Sequence, residues 1–324
     1  MKRTPMFGLA AGLACAAVAV AFAAPAPAPK DLAVLHVAAA AAVLEQAPVV
    51  LAINRFYKGP ATLGPPGIPA LFGEGGAPVV ADVAAHAETQ ALRQSLKHPD
   101  LRIITTITQG SYRLIGRKSR GIAGLSDLKG KRVGVQAETS SAYFLHRMLQ
   151  SVGLDDADVT IVGMHAAQLP EALGQGRLDA VAIWEPEATL AQQAAGADAV
   201  SFSGAGIYGI TYNLNTTEGA LNNPAKRAQI VRFVRALIEA SAEAVKDPAT
   251  AQAAVAKQTG HPPAAVAAAW PSYSYPGAMG ADLLDKLVVE EAWVARLEKR
   301  PARGRAELAK LIDASVLKEA RALR

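Results

Sequence analysis

The stretch Leu125-Ser-Asp-Leu-Lys-Gly-Lys-Arg-Val-Gly-Val-Gln136 continues through Ala137-Glu-Thr-Ser-Ser141 and an amphipathic run, and closes on Leu178-Asp-Ala-Val-Ala-Ile-Trp-Glu-Pro186. A short turn ending at Gly130 delivers the chain into a buried strand over residues 132–136. Thr139, Ser140 and Ser141 stand where a helix should begin, and their hydroxyls suit an N-cap because they accept hydrogen bonds from first-turn amides that lack helical partners. Phe144, Leu145, Met148, Leu149 and Val152 follow at helical spacing, and Gly153 is the expected stop. A second strand is expected over 159–162, a second helix over 167–173 and a third strand over 180–184. This β-α-β-α-β order implies a parallel sheet with right-handed crossovers. In such sheets ligands gather beyond the carboxyl ends of the strands, where helices begin. Both the Thr-Ser-Ser turn and Trp184-Glu185-Pro186 lie at that edge.

The sequence of 324 residues is long enough for two domains, and its 51% hydrophobic content, though inflated by alanine, supports a sizeable core. Lys2 and Arg3 followed by a run without charge to Lys30 read as a targeting leader, and Ala21-Phe22-Ala23 as its cleavage site. Residues 1–23 are thus expected to be a signal peptide removed after Ala23. The Ala-Pro alternation of 24–30 is expected to be a stiff linker. Cys15 is the sole cysteine. Gly12-Leu13-Ala14 is a poor approach to a lipidated cysteine, so no lipid anchor is expected there. The chain after the leader has no cysteine for disulfides, thiolate metal sites or cysteine nucleophiles. The reading is of an exported, soluble, periplasmic protein. Two of the net +5 charges belong to Lys2 and Arg3. The other basic residues are scattered or clustered without interleaved aromatics, which excludes a nucleic-acid partner from the expectation.

Outside the central stretch, a first strand is expected over 32–37. It is followed by the small residues Ala38 to Ala42, among which Ala39 would let a ligand approach the backbone, and Gln46 is grouped with that edge. Residues 49–57 read as a helix and 64–69 as turns. Pro69 to Ala81 lies over Pro170 to Ala182 without a gap, matching Gly73 to Gly174 and Val79-Val80-Ala81 to Ala180-Val181-Ala182. This repeat predicts two lobes built on one plan. Glu88 and Thr89 open a helix running to Leu96, and a strand follows over 102–108. Residues 112–118 look like a strand leaving the first lobe, and 206–214 like the strand returning to it. The remainder reads as mostly helical, with an aromatic loop at 270–276 and helices over 283–297 and 305–317. The first lobe is expected to comprise 31–115 and 208–324, and the second 116–207.

Taken together, Asp127-Leu-Lys-Gly-Lys-Arg-Val-Gly-Val135, the Thr-Ser-Ser turn, Ser151-Val-Gly-Leu154 and Gly174-x-Gly-x-x-Asp-Ala-x-Ala-x-Trp-Glu-Pro186 resemble the solute-binding proteins of ABC importers, in the group for nitrate, sulfonates, taurine and thiamine-precursor pyrimidines. The resemblance implies an α/β, bilobal periplasmic-binding-protein-like fold (type II), with two parallel-core lobes joined by two crossover strands. It implies a small ligand in the cleft, an importer permease as partner, and a monomer. The matched cleft positions are Thr139, Ser140, Ser141, Trp184 and Glu185, with Glu88 and Thr89 at the corresponding helix start of the first lobe. Tyr212, near the returning crossover, joins them. Pro78 departs from the pattern, standing where the repeat carries an aspartate, as Asp179 does in the second copy.

A helix N-terminus flanked by hydroxyls suits an anionic head group, so a sulfonate- or nitrate-like anion is the leading expectation. Glu88 and Glu185 are awkward for that role. If both face the cleft, a cationic, zwitterionic or pyrimidine-like ligand is the alternative. The six histidines show no metal-ligand spacing, and the sequence has no H-E-x-x-H, G-x-S-x-G or phosphate-loop motif. No metal, cofactor or catalytic residue is expected. A biosynthetic enzyme related to the pyrimidine synthases is the remaining rival, although its cysteine-rich motif is absent.

Overall fold

The computed structural model describes Met1 and residues 33–39, 41–76 and 78–323. The signal peptide, its cleavage point and the linker expected at 24–30 lie outside the described residues, as does the start of the expected first strand. Within residues 33–323 the chain builds two sheets.

Strand β1 (Leu35–Ala38) leads through a tight 3₁₀ turn (Leu44–Gln46) into helix α1 (Ala47–Leu51). The helix then widens into a π-turn over Ala52–Phe56. Strand β2 (Ala61–Gly64) pairs parallel to β1 in a stretch for which no strand was expected. Strand β3 (Val83–Ala87), helix α2 (Glu88–Lys97) and the long strand β4 (Leu101–Gly110) follow. The chain then crosses to the second sheet. That sheet holds β5 (Arg113–Arg117), β6 (Arg132–Val135), helix α3 (Ser140–Gln150), β7 (Thr160–Gly163), helix α4 (Leu169–Gly174), β8 (Ala180–Ile183), helix α5 (Glu187–Ala195) and β9 (Ala199–Ser203). It returns along β10 (Ile210–Thr217), passes through α6 (Glu218–Asn222), α7 (Pro224–Lys246), α8 (Pro248–Thr259) and α9 (Pro263–Ala269), and adds a short edge strand β11 (Tyr273–Ser274). Helices α10 (Leu283–Leu297), α11 (Arg305–Ala309) and α12 (Ser315–Ala322) end the described chain. The helix expected over 305–317 is therefore two, divided near Asp313, whose carboxylate accepts from the Ser315 amide at 2.9 Å.

The strand orders are β11-β4-β10-β3-β1-β2 and β7-β6-β8-β5-β9. In each, the β-α-β core is parallel, and the strand that enters or leaves across the middle runs antiparallel. The lobes are thus α/β bodies of similar plan, joined at two places: Ser111-Tyr112 between β4 and β5, and residues 204–209 between β9 and β10. The strand expected over 112–118 lies wholly in the second sheet, so the expected division at 115/116 falls inside β5. The two crossings are hydrogen-bonded together, since the Gly204 amide donates to the Tyr112 carbonyl at 2.9 Å.

The internal repeat holds, but in a shifted register. Val79 and Val80 are 49% and 56% exposed and precede the strand rather than forming it. A gapless overlay sets Asp179 against Pro78, whereas its counterpart in the first lobe is Asp82, further along the chain. The Asp82 carboxylate accepts from the His36 amide at 2.9 Å, and its own amide donates to the His36 carbonyl at 2.8 Å. Asp179 makes the same pair of bonds with Arg132, both at 2.9 Å. In each lobe this aspartate clamps the start of the third strand to the first. Pro78 is consequently not the departure it looked like in the sequence.

Candidate functional site

Helix α3 begins at the carboxyl end of β6, as the turn residues require. Thr139 is its N-cap: the hydroxyl accepts from the Ser141 amide at 3.2 Å and donates to the Gln136 carbonyl at 2.8 Å. Trp184 lies at the end of β8 and Tyr212 on β10 across from it. Between the lobes these residues border a cleft of about 700 Å³, reached by Thr139, Ser140, Trp184 and Tyr212. These four expected positions are brought together.

Tyr112, at the first crossover, organises the inner wall. It is buried, its hydroxyl sits 3.0 Å from the Ser140 Oγ, and its ring meets Phe144, Tyr208 and Trp184 edge-on at 5.7, 5.8 and 6.0 Å. Edge-to-face rings of this kind hold an aromatic cage without crowding it. Tyr212 donates to the Ala85 carbonyl at 3.2 Å, which fixes its ring at the cleft wall.

The other expected positions do not border the cleft. Ser141 is fully buried behind the cap; its hydroxyl donates to the Ala182 carbonyl at 2.7 Å and accepts from the Gln136 amide at 3.0 Å, tying β6 to β8. Glu185 is buried against Arg113, with Nε at 2.6 Å, and caps the Thr189 amide at 2.9 Å. Glu88 accepts from the Tyr208 hydroxyl at 2.6 Å and the Thr211 amide at 2.9 Å. Burial pushes its carboxyl up, against those bonds. The two acids that looked like ligand groups are therefore each satisfied inside a lobe or at a crossover. Thr89 donates to the carboxylate of Glu290, a fully buried acid held well above its ordinary range by burial and by the charge of Glu88. Ala39 is buried beneath the cleft edge, and Gln46 turns inward to donate to the Ala41 carbonyl. Of the small-residue run it is Ala41 and Ala42 that reach the cleft.

Sequence reasoning did not single out two buried acids that border the cleft. Glu45 follows β1 in the first lobe, and Glu187 opens α5 in the second. Both are at most 3% exposed and both border the cleft. Burial pushes Glu45 up to about 8, with help from the charges of Glu187 and Glu185. Burial likewise pushes Glu187 up to about 7. No periodicity marks either residue. The available signal was a Glu in the first turn of each helical segment that follows a cleft-edge strand.

The three histidines that line the cleft are bonded to the backbone. Burial holds His86 down to about 4, and its Nδ1 accepts from the Ala87 amide at 2.9 Å. His165 caps the Ala167 amide at 3.4 Å, and His261 Nε2 meets the Ala42 carbonyl at 3.0 Å. At the mouth, Glu138 adopts a left-handed backbone (φ 60°). It is held there from the other lobe: its carbonyl accepts from Gln90 Nε2 and from an Arg93 guanidinium nitrogen, both at 2.7 Å, and its carboxylate pairs with Arg93 at 2.9 Å.

Comparison with known proteins agrees with this geometry. Residues 76–251 match the family model described as NMT1/THI5 like. A candidate binding protein of Brucella abortus is 33% identical over 66 residues, which is 20% of this chain and 21% of that protein; the match spans about a fifth of the relative's length. The alkanesulfonate-binding protein SsuA of Xanthomonas axonopodis pv. citri, solved with MOPS, superposes with a TM-score of 0.69 at 20% identity, over 88% of this chain and 99% of that one. The periplasmic nitrate-binding protein NrtA of Synechocystis gives 0.72 at 12% identity, over 92% and 90%. The desulfurization enzyme DszB gives 0.59 at 15% identity, over 89% and 99%. These likenesses establish the bilobal type II fold of periplasmic binding proteins, a fold that also serves an enzyme.

Proposed function

Because the chain belongs to the NMT1/THI5-like family, whose model covers its residues 76–251, we propose that it is the extracytoplasmic solute-binding component of an ABC importer. It captures a small solute between its lobes and presents it to a membrane permease. The observation that carries this reading is the cleft itself: about 700 Å³, bordered by both lobes, with a capped helix start and an aromatic cluster packed beside it. That volume is in the range of small-molecule sites. The lobes proposed to close on the solute are residues 33–110 with 210–323, and residues 113–203.

The start of α3 supports binding of an acidic or hydrogen-bond-accepting group, in keeping with the sulfonate- and nitrate-binding proteins of the same fold. Ser140 and Thr139 stand beside it. Trp184, Tyr112 and Tyr212 support a flat or apolar solute body. The leader-like start of the sequence and the fold support a periplasmic location, with a monomer as the working state. We propose no catalytic role, since the cleft histidines are tied to backbone groups rather than to a nucleophile.

Thermal melting of ligand-stripped protein against a solute panel tests this. A solute at ~100 times its Kd adds about 2.7 kcal/mol of stability, which is several degrees at roughly 2–4 °C per kcal/mol. Mass spectrometry of material released from protein exported by its own cell would name the solute. A protein that carries nothing and whose melting no solute extract alters is not a binding protein of this kind.

A further inference from the structure

Building on the reading that the cleft holds a small solute, we propose that Glu45 and Glu187 form a two-sided seat for a protonated nitrogen base, an amine or amidine carried by that solute. One carboxylate comes from each lobe, so the seat is complete only when the lobes face each other across the solute. Both residues border the cleft, at 2% and 3% exposure, and Oε2 of each has no hydrogen-bond partner among the described residues. A buried carboxylate oxygen left without a donor is costly, and two in one cavity call for a guest that brings donors and positive charge. Trp184 Nε1 also has no partner within hydrogen-bond limits; it lies towards Glu187, whose ionised form it favours.

Among the described residues no cation pairs with Glu45, and the one basic side chain that reaches Glu187 is His261. Glu185, the third acid nearby, is neutralised by Arg113 at 2.6 Å. Arg93 is drawn to Glu138 and Glu298 at 2.9 and 3.4 Å. His261 lies 3.7 Å from Glu187, but its Nε2 is bonded to the Ala42 carbonyl. His86 is kept neutral by burial, and the Tyr273 hydroxyl, which bonds the backbone of Glu185, also lies towards Glu45 and favours its ionised form without bringing charge. Trp184, Tyr112 and Tyr212 border the same space, and a cation that meets one of these rings on its face is attracted to it.

The seat also sets the sign of a proton exchange. Burial holds Glu45 up to about 8 and Glu187 up to about 7, so near neutral pH the empty cleft carries protons on this pair. A cationic guest favours the ionised forms and displaces a proton. An anion without N–H groups would instead need the carboxyls protonated, as donors, and would be expelled as they ionise. The two guests therefore respond to pH in opposite directions.

The test uses ligand-stripped full chain and matched probes: ethylamine, taurine and ethanesulfonate, then benzylamine, benzamidine and benzenesulfonate, together with a metabolite extract. Affinity is read by calorimetry in two buffers at pH 6 and 8. Nitrogen-bearing probes are expected to bind, to release protons, and to tighten with pH by up to about tenfold per unit for one proton released. Glu45→Gln and Glu187→Gln, which keep side-chain shape, are each expected to weaken them at least tenfold and to flatten the pH response, without lowering the melting temperature of the empty protein. Sulfonates without nitrogen that bind as tightly as the amines, or affinity that falls as pH rises, would overturn the proposal. So would a double Gln variant that still takes its solute from the extract at parental affinity, a result that leaves the solute-binding reading standing. If neither probes nor extract bind the parent, that reading falls, and this proposal with it.

Discussion

Ser141 uses its hydroxyl twice, towards Ala182 and towards the Gln136 amide, and both bonds are buried. Ser141→Ala should therefore cost about 1–3 kcal/mol, the range for orphaning buried partners, while leaving solute affinity unchanged; denaturant melts and a binding titration separate the two effects. Arg113 is the sole guanidinium within reach of the buried Glu185 among the described residues, and it also bonds Gln192 and Thr189. Arg113→Ala should cost roughly 3 kcal/mol or more because it strands a buried charge, and Arg113→Ala with Glu185→Gln should recover part of that loss. Glu45 gives a pH prediction. Its folded-state value of about 8 lies above its ordinary 4.5, so the folded state binds the extra proton. The empty protein should lose stability as pH rises from about 4.5 to about 8, by at most roughly 4–5 kcal/mol from this group. Glu45→Gln should flatten that slope in melts across the range. At this scale the sequence was a mixed guide. It placed Thr139, Ser140, Trp184 and Tyr212 at the cleft, because caps and strand ends are local properties. It left open whether Glu88 and Glu185 face a ligand or pair with a neighbour, and it did not single out Glu45 and Glu187, because which acid finds an internal partner depends on residues distant in the chain, such as Tyr208 and Arg113.

Among the elements, β6 and α3 were the easiest to read, since hydrophobic spacing, a cap and a glycine stop coincide there. Gly134 in β6 shows why that strand needs its composition: a Cβ would come 2.5 Å from Leu178 Cδ1 and 2.7 Å from Leu169 Cδ2. Gly134→Ala should overpack the second lobe and cost about 1–3 kcal/mol, seen as a drop in the denaturation midpoint. Strand β2 escaped notice because it is a four-residue edge strand set among prolines and glycines, and its support is the ladder to β1 rather than its own pattern. The repeat was found but misregistered. A gapless overlay had no means of sensing that the first lobe carries extra residues before its aspartate, whereas the paired bonds of Asp82 to His36 and of Asp179 to Arg132 make the correspondence plain. Replacing Asp82 by Asn should loosen β3 from β1, and faster hydrogen exchange at the His36 amide would register it.

For the whole molecule, the lobes followed from the order of elements, and their meeting place from the rule that ligands sit beyond strand ends. What joins them across the mouth was not legible, because it rests on a long-range encounter. Arg93 on α2 and Glu138 before α3 are far apart in sequence and paired at 2.9 Å. Further from the mouth, Arg296 of α10 pairs with Asp156 at 2.9 Å. Arg93→Ala should shift the empty protein towards open shapes, with a larger radius in small-angle scattering and solute affinity weakened by up to about tenfold, while the solute-bound form keeps the parental radius.

The bent backbone at Glu138 has a consequence for how finely such a device is set. Holding a non-glycine residue in that conformation costs on the order of 1–3 kcal/mol. Each of the bonds that hold it contributes about 0.5–1.5 kcal/mol. The tether and the spring are thus of similar size and opposite sign, so their net pull across the mouth is small. A solute with modest selectivity for the shut shape would then be enough to tip the outcome.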